Sequence, residues 1–109
     1  MFTVHQVLFP VGISIRAITE ARRVGMIAGT WGKKVIPHFS ASMVSLAANL
    51  SFGQSLYNTE YMEYTLDENP LRSELCTESI VMKDGVVRVF DKPGLGIELN
   101  WDTVERYRV

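Results

Sequence analysis

Apolar residues recur along this chain at two different periods, and the switches between them divide it into short elements. Thr3 to Phe9 is rich in β-branched and aromatic residues and stops at Pro10, which is the composition and boundary of a strand. Val11 to Ala17, with Gly12 inside it, follows neither period and reads as a connection. Ala21, Val24, Ala28 and Trp31 then fall three, four and three residues apart, the spacing of one helix face. Thr19 is the expected N-cap of that helix, Glu20 is favourable in its first turn and Gly32 is placed to stop it. On this pattern Trp31 belongs to the core, and Arg22 and Arg23 to a solvated face. Gly25 and Gly29 fit either close packing against another segment or a weak helix.

Lys34 to Pro37 is a short strand that delivers His38 at its carboxyl end. Ser40 or Ser42 can cap the next helix, whose wide apolar face is Met43, Val44, Leu46, Ala47 and Leu50, with Gly53 as its end. Asn58 and Thr59 read as loop, and Tyr61 to Tyr64 as a third strand, carrying Glu63. After Leu66 the texture changes. Asp67-Glu68-Asn69-Pro70 is a turn-rich break. Ile80 to Met82 and Val86 to Phe90 form a hairpin with Asp84-Gly85 at its tip. Lys92 to Gly96 is a tight loop, Ile97 to Leu99 a further strand, and Asn100 the cap of a last helical turn from Trp101 to Tyr107. The order is β-α-β-α-β with a β-rich tail. The class is therefore α/β with parallel pairing, and the tail is expected as a separate layer.

Length and charge narrow the function classes. With 109 residues the chain is at most one domain, well short of the roughly 250 that a complete eight-stranded barrel needs. Its net charge is -1 and it has no basic stripe, so nucleic acid is not an expected partner. The one cysteine, Cys76, excludes an internal disulfide and fits a reducing compartment. Met43 to Phe52, the most apolar stretch, is too short to span a membrane and contains Ser45, Asn49 and Ser51. The first residues lack an early Lys or Arg and a small-residue cleavage site, and a cytoplasmic location is expected. His5 has no partner motif and reads as structural. Gly94 and Gly96 are turn glycines, because no helix with a phosphate-binding Lys follows them.

His38 and Glu63 are the candidate chemistry. Each stands at the end of a predicted strand in a strand–helix–strand unit, where barrel and open α/β enzymes keep their reacting groups. An imidazole exchanges protons near neutral pH, and a carboxyl group in a dry pocket can donate to a developing enolate oxygen.

Several segments also coincide in order and spacing: Ile18-Thr19-Glu20-Ala21-Arg22-Arg23, Val35-Ile36-Pro37-His38, Ala47-Ala48-Asn49-Leu50, Tyr61-Met62-Glu63-Tyr64, Lys83-Asp84-Gly85 and Pro93-Gly94-Leu95-Gly96-Ile97-Glu98-Leu99. From about Ile18 to Val109 this set resembles the C-terminal end of the enolase superfamily, in its mandelate racemase/muconate lactonizing enzyme and sugar-acid dehydratase branch. The resemblance implies a partial (β/α) barrel matching strands six to eight, with residues 18–66 in the barrel and 67–109 returning to a capping domain. Residues 1–17 match it poorly. It implies abstraction of the proton beside a carboxylate, with His38 as acid/base and Glu63 hydrogen-bonding the substrate. The intact family uses Mg²⁺. The family's metal ligands come from strands three to five and its lysine base from strand two, none of which this sequence matches, so the chain alone is expected to be inactive and to bind no metal. Glu60, Asp67 and Glu68 sit on or after the same strand as Glu63 and do not recreate ligands from three strands. Val11 stands where the family pattern has the aspartate that orients the histidine, and Arg16 and Ala17 where it has glycines, so His38 is expected to lack that partner. Open strand edges imply self-association or pairing with a complementary fragment. A small non-catalytic α/β binding or oligomerisation module is the alternative.

Overall fold

Two four-residue strands, β1 (Gln6–Phe9) and β2 (Lys34–Pro37), pair in parallel, with Gln6 opposite Lys34 and Phe9 opposite Pro37. The computed structural model describes residues 6–9, 17–38 and 42–109. The expected strand start at Thr3, the connection through Gly12, and His5, Val11, Arg16 and Ser40 lie outside the described residues. Parallel strands need a crossover, and α1 (Ala17–Thr30) supplies it. Side chains alternate along β2. Val35 and Pro37 are buried, while Lys34 and Ile36 are half-buried on the other face.

The helix α1 begins two residues before Thr19, so Thr19 is a helical residue and not the cap. Its buried stripe also differs from the expected one. Ala21 and Gly25 are buried and Ala28 and Gly29 half-buried, while Trp31 is 78% exposed and Val24 is exposed too. The cause is close approach. A Cβ at Gly25 would run into the Leu56 side chain, and one at Gly29 into Tyr57. The two glycines let the chain after the second helix press against the α1 backbone, which turns Val24 and Trp31 outward. Gly32, at φ 65°, ends this unit as expected.

The helix α2 (Met43–Gln54) is capped by Ser42, whose Oγ accepts from the Ser45 N–H at 3.4 Å. Gly53 does not end it but lies buried within it, against Pro37 and Thr59. This helix is apolar nearly all round because it serves two cores. Phe52 packs with Ala21, Val35 and Leu56 on the strand side. Met43, Leu46, Ala47 and Leu50 pack with Cys76 and Ile80 of the tail on the other. The expected separate layer is therefore the second coat of α2.

Tyr61 to Tyr64 is not a strand. The Val35 N–H donates to Asn58 O at 3.0 Å and the Glu63 N–H to Pro37 O at 3.2 Å. In a regular parallel ladder these two bonds would stand four residues apart on the facing segment, and here they stand five apart, one residue too many. A ladder advances in equal steps on both strands, so the single extra residue breaks the register between the two bonds.

In the tail, Asn69 caps the short helix α3 (Pro70–Ser73), its Oδ1 accepting from the Leu71 N–H at 2.9 Å, with Pro70 in the first turn. The expected break is therefore a helix start. The hairpin β3 (Met82–Lys83) and β4 (Val86–Val87) is shorter than expected but turns at Asp84-Gly85, both at positive φ, as a two-residue type I′ turn requires. Ile97 to Leu99 contributes a single antiparallel bridge, Leu99 to Cys76. Asn100 caps α4 (Trp101–Arg106), accepting from the Thr103 N–H at 3.4 Å. No helix among the described residues is long and apolar enough to cross a membrane.

Glu78 ties the tail together. Its carboxylate accepts from Lys92 Nζ at 2.6 Å, from the Glu98 N–H at 2.9 Å and from the Thr77 hydroxyl at 2.8 Å. The Lys92 ammonium first, then these two donors, pull its carboxyl from an ordinary value of 4.5 down to about 2. A depressed folded-state value contributes stability that is complete above about 4.5 and is lost as pH falls through about 2. Glu78→Gln should therefore lower the urea midpoint at pH 7, with the gap to wild type narrowing towards pH 3. A gap that does not change with pH would refute this.

Candidate functional site

Pro37 closes β2, and its ring leaves no N–H to continue a ladder. Its carbonyl instead accepts the Glu63 N–H. His38 follows at once, and its Nδ1 is in hydrogen-bond contact with Glu63 Oε2. Two residues 25 apart in sequence are thus joined both through the backbone beside His38 and through their side chains. A second pair runs beside them, Lys34 Nζ to Glu60 Oε2 at 2.5 Å. The position of the orienting aspartate, Val11, lies outside the described residues, and the facing segment brings a different carboxylate, that of Glu63, onto the His38 ring.

The segment is anchored from both ends. Asn58, buried at its start, donates from Nδ2 to Gly25 O at 3.0 Å and to Lys33 O at 2.9 Å. Beyond Glu63, the Tyr64 hydroxyl donates to Ile80 O at 3.1 Å, and the Arg72 guanidinium lies 5.7 Å from the Tyr64 ring centre. Arg72 also donates to the carbonyls of Thr65 and Asp67. Asn58, Lys34, Glu60 and Arg72 hold the segment in place through these contacts, which the sequence did not reveal. The one available signal was spacing, since Lys34 to Glu60 and His38 to Glu63 are separated by 26 and 25 residues.

The side chains of His38 and Glu63 are 34% and 42% exposed. A cleft of about 340 Å³ lies nearby between α2, the segment from Thr59 to Tyr64 and the hairpin, and neither His38 nor Glu63 lines it. The pair stands on an open face, where an imidazole backed by a carboxylate can exchange a proton with a bound molecule. Cys76 takes no part. Burial, and then the charge of Glu78, push its thiol up, away from the reactive thiolate.

Among the described residues no three His, Cys, Asp or Glu side chains converge as a metal site. Glu60, Glu63 and Asp67 are each paired, with Lys34, His38 and Arg72. The Mg²⁺ that the resemblance implies does not fit the residues described here.

The model of the enolase C-terminal domain-like family matches residues 12–103, opening inside the segment 1–17. The chain belongs to that family. Arabinonate dehydratase of Saccharolobus solfataricus is 36% identical over 91 residues, which cover 84% of this chain and 24% of that protein. A mandelate racemase/muconate lactonizing enzyme structure from Jannaschia sp. CCS1 superposes with a TM-score of 0.74 at 33% identity, covering 84% of this chain and 23% of the other. An enolase from Pantoea ananatis with bound D-gluconate and Mg superposes at 0.71 with 28% identity, covering 85% and 23%. The family chain described here spans about a quarter of the length of the proteins it matches.

Proposed function

We propose that this sequence is the C-terminal portion of an enolase-superfamily dehydratase or racemase that works on a sugar acid by removing the proton beside its carboxylate. In this proposal β1, β2 and the segment from Asn58 to Tyr64 close an α/β barrel, residues 67–109 return to a cap, and His38 is the acid/base. The observation that carries it is the contact between His38 and Glu63 at the carboxyl end of β2, the end at which barrel enzymes keep their chemistry. The relatives' names, with arabinonate and D-gluconate in them, support the substrate class. Metal ligation belongs to other parts of the intact enzyme, so this chain by itself is inactive.

The test is deuterium exchange at the α-carbon of arabinonate and D-gluconate in D₂O with Mg²⁺, followed by NMR. The chain alone should give no exchange. Fused behind the upstream portion of the arabinonate dehydratase, it should give exchange that falls by about 10²- to 10⁴-fold in His38→Ala. Exchange by the chain alone that depends on His38 would overturn the inactivity. Exchange in the fusion that is indifferent to His38 would overturn the site.

A second reading, a small non-catalytic binding or oligomerising module, is favoured by one observation. Among the described residues β1 pairs with β2 alone, and a strand with an open edge recruits another. Light scattering at micromolar concentration should then show a dimer or larger species, and a monodisperse monomer would sink it.

A further inference from the structure

We propose that the chain dimerises about a two-fold axis beside β1, with the outer flank of α1 in each copy packed antiparallel against the other. This rests on the oligomerising reading above and names the surface that reading needs.

Glu20, Val24, Ile27 and Trp31 follow one another at four, three and four residues, which sets them in one row along α1. Val24 is 40% exposed, Ile27 60% and Trp31 78%. The buried row is a different one and runs through Ala21 and Gly25. Two contacts fix the side on which the exposed row lies. A Cβ at Gly29 would meet Tyr57, and the next residue, Asn58, accepts from the Val35 N–H on the edge of β2 away from β1. The Gly29 flank of α1 therefore faces the segment after α2. The exposed row is nearly opposite Gly29 round the helix, on the side of the open edge of β1. Among the described residues β1 pairs with β2 alone.

One axis serves both surfaces. A two-fold perpendicular to the sheet sets β1 against its copy as antiparallel strands and brings the two α1 helices together on the same face. Such a contact must be self-complementary, and the spacing four-three-four reads the same in both directions. Val24 of one copy then faces Ile27 of the other, and Trp31 faces Glu20. The indole N–H is a donor, and the Glu20 carboxylate, steadied by Arg23 at 2.5 Å, accepts it. Trp31 alone can bury about 150–250 Å², whereas a stable interface takes about 800 Å² per partner. The helix row and the strand edge are therefore needed together.

The experiment is light scattering on the chain alone at micromolar concentration, with circular dichroism to follow the fold. Wild type should be a dimer. Trp31→Glu and Val24→Glu should be monomers with unchanged spectra, because the row is exposed in each copy. Met26→Glu, also exposed on α1 but off the row, should stay dimeric. Adding Glu20→Lys to Trp31→Glu should restore the dimer, since the antiparallel register sets these two positions face to face. A dimer indifferent to both row variants, or lost equally in Met26→Glu, would overturn this surface and leave the oligomerising reading standing. A monomeric wild type would overturn both. A monomeric wild type that captures the upstream portion of the arabinonate dehydratase through Trp31 would assign the row to that partner instead of a second copy.

Discussion

Phe52→Ala should remove most of the stability of this chain, by about 3–5 kcal/mol, the range for truncating a buried aromatic. Phe52 is 2% exposed and meets Ala21 of α1, Val35 of β2 and Leu56 beyond α2. It is where helix, strand and following segment come together. A domain of this size holds about 5–15 kcal/mol in total, so the melting temperature should fall by at least about 10 °C. Ile27→Ala is the control. Ile27 is 60% exposed on α1, and its loss should stay within about 0.5 kcal/mol. Thermal melts followed by circular dichroism decide the matter. Equal melting temperatures for the two variants would mean that the strand-side core is not built around Phe52.

The features legible in the sequence are those with a local cause. Ser42 and Asn100 bond to N–H groups three residues on, and Asp84-Gly85 needs positive φ at two adjacent positions. Each is decided within a few residues. The face of α1 was not legible, because it depends on Leu56 and Tyr57 pressing against Gly25 and Gly29 from a different part of the chain. The strand expected at Tyr61 to Tyr64 failed for a similar reason. Its apolar-aromatic composition is strand-like, but the backbone bonds at Asn58 and Glu63 stand one residue further apart than a regular parallel ladder with β2 allows. The site divides the same way. His38 and Glu63 could be named from their places at predicted strand ends. Their direct contact could not, because it is made by the same irregular spacing that cancels the strand.

Asn58→Asp should be nearly as damaging as the loss of Phe52, although it replaces one NH₂ group with oxygen. Asn58 is 9% exposed, and its amide donates to Gly25 O and Lys33 O, tying α1 to the approach of β2. Its own carbonyl accepts from the Val35 N–H. An ionised carboxylate in that place has no hydrogen to give, so two bonds become oxygen–oxygen repulsions around a buried charge. The expected loss at pH 7 is about 3–5 kcal/mol, against about 1–3 kcal/mol for Asn58→Ala, which only removes the two donated bonds. The sign with pH follows from the neutral form, which can donate one bond and carries no charge. Burial and the two carbonyls raise the folded-state value of the new carboxyl above its unfolded value of about 3.9. The penalty is therefore absent below about 3.9 and grows as pH rises through the raised folded-state value. Urea unfolding at pH 4 and pH 7 should show Asn58→Asp recovering towards wild type at the lower pH while Asn58→Ala does not. Parallel behaviour of the two variants would mean that the amide donors of Asn58 do not hold α1 to β2. It would also remove the anchor from which the segment reaches Glu63 and, through it, His38.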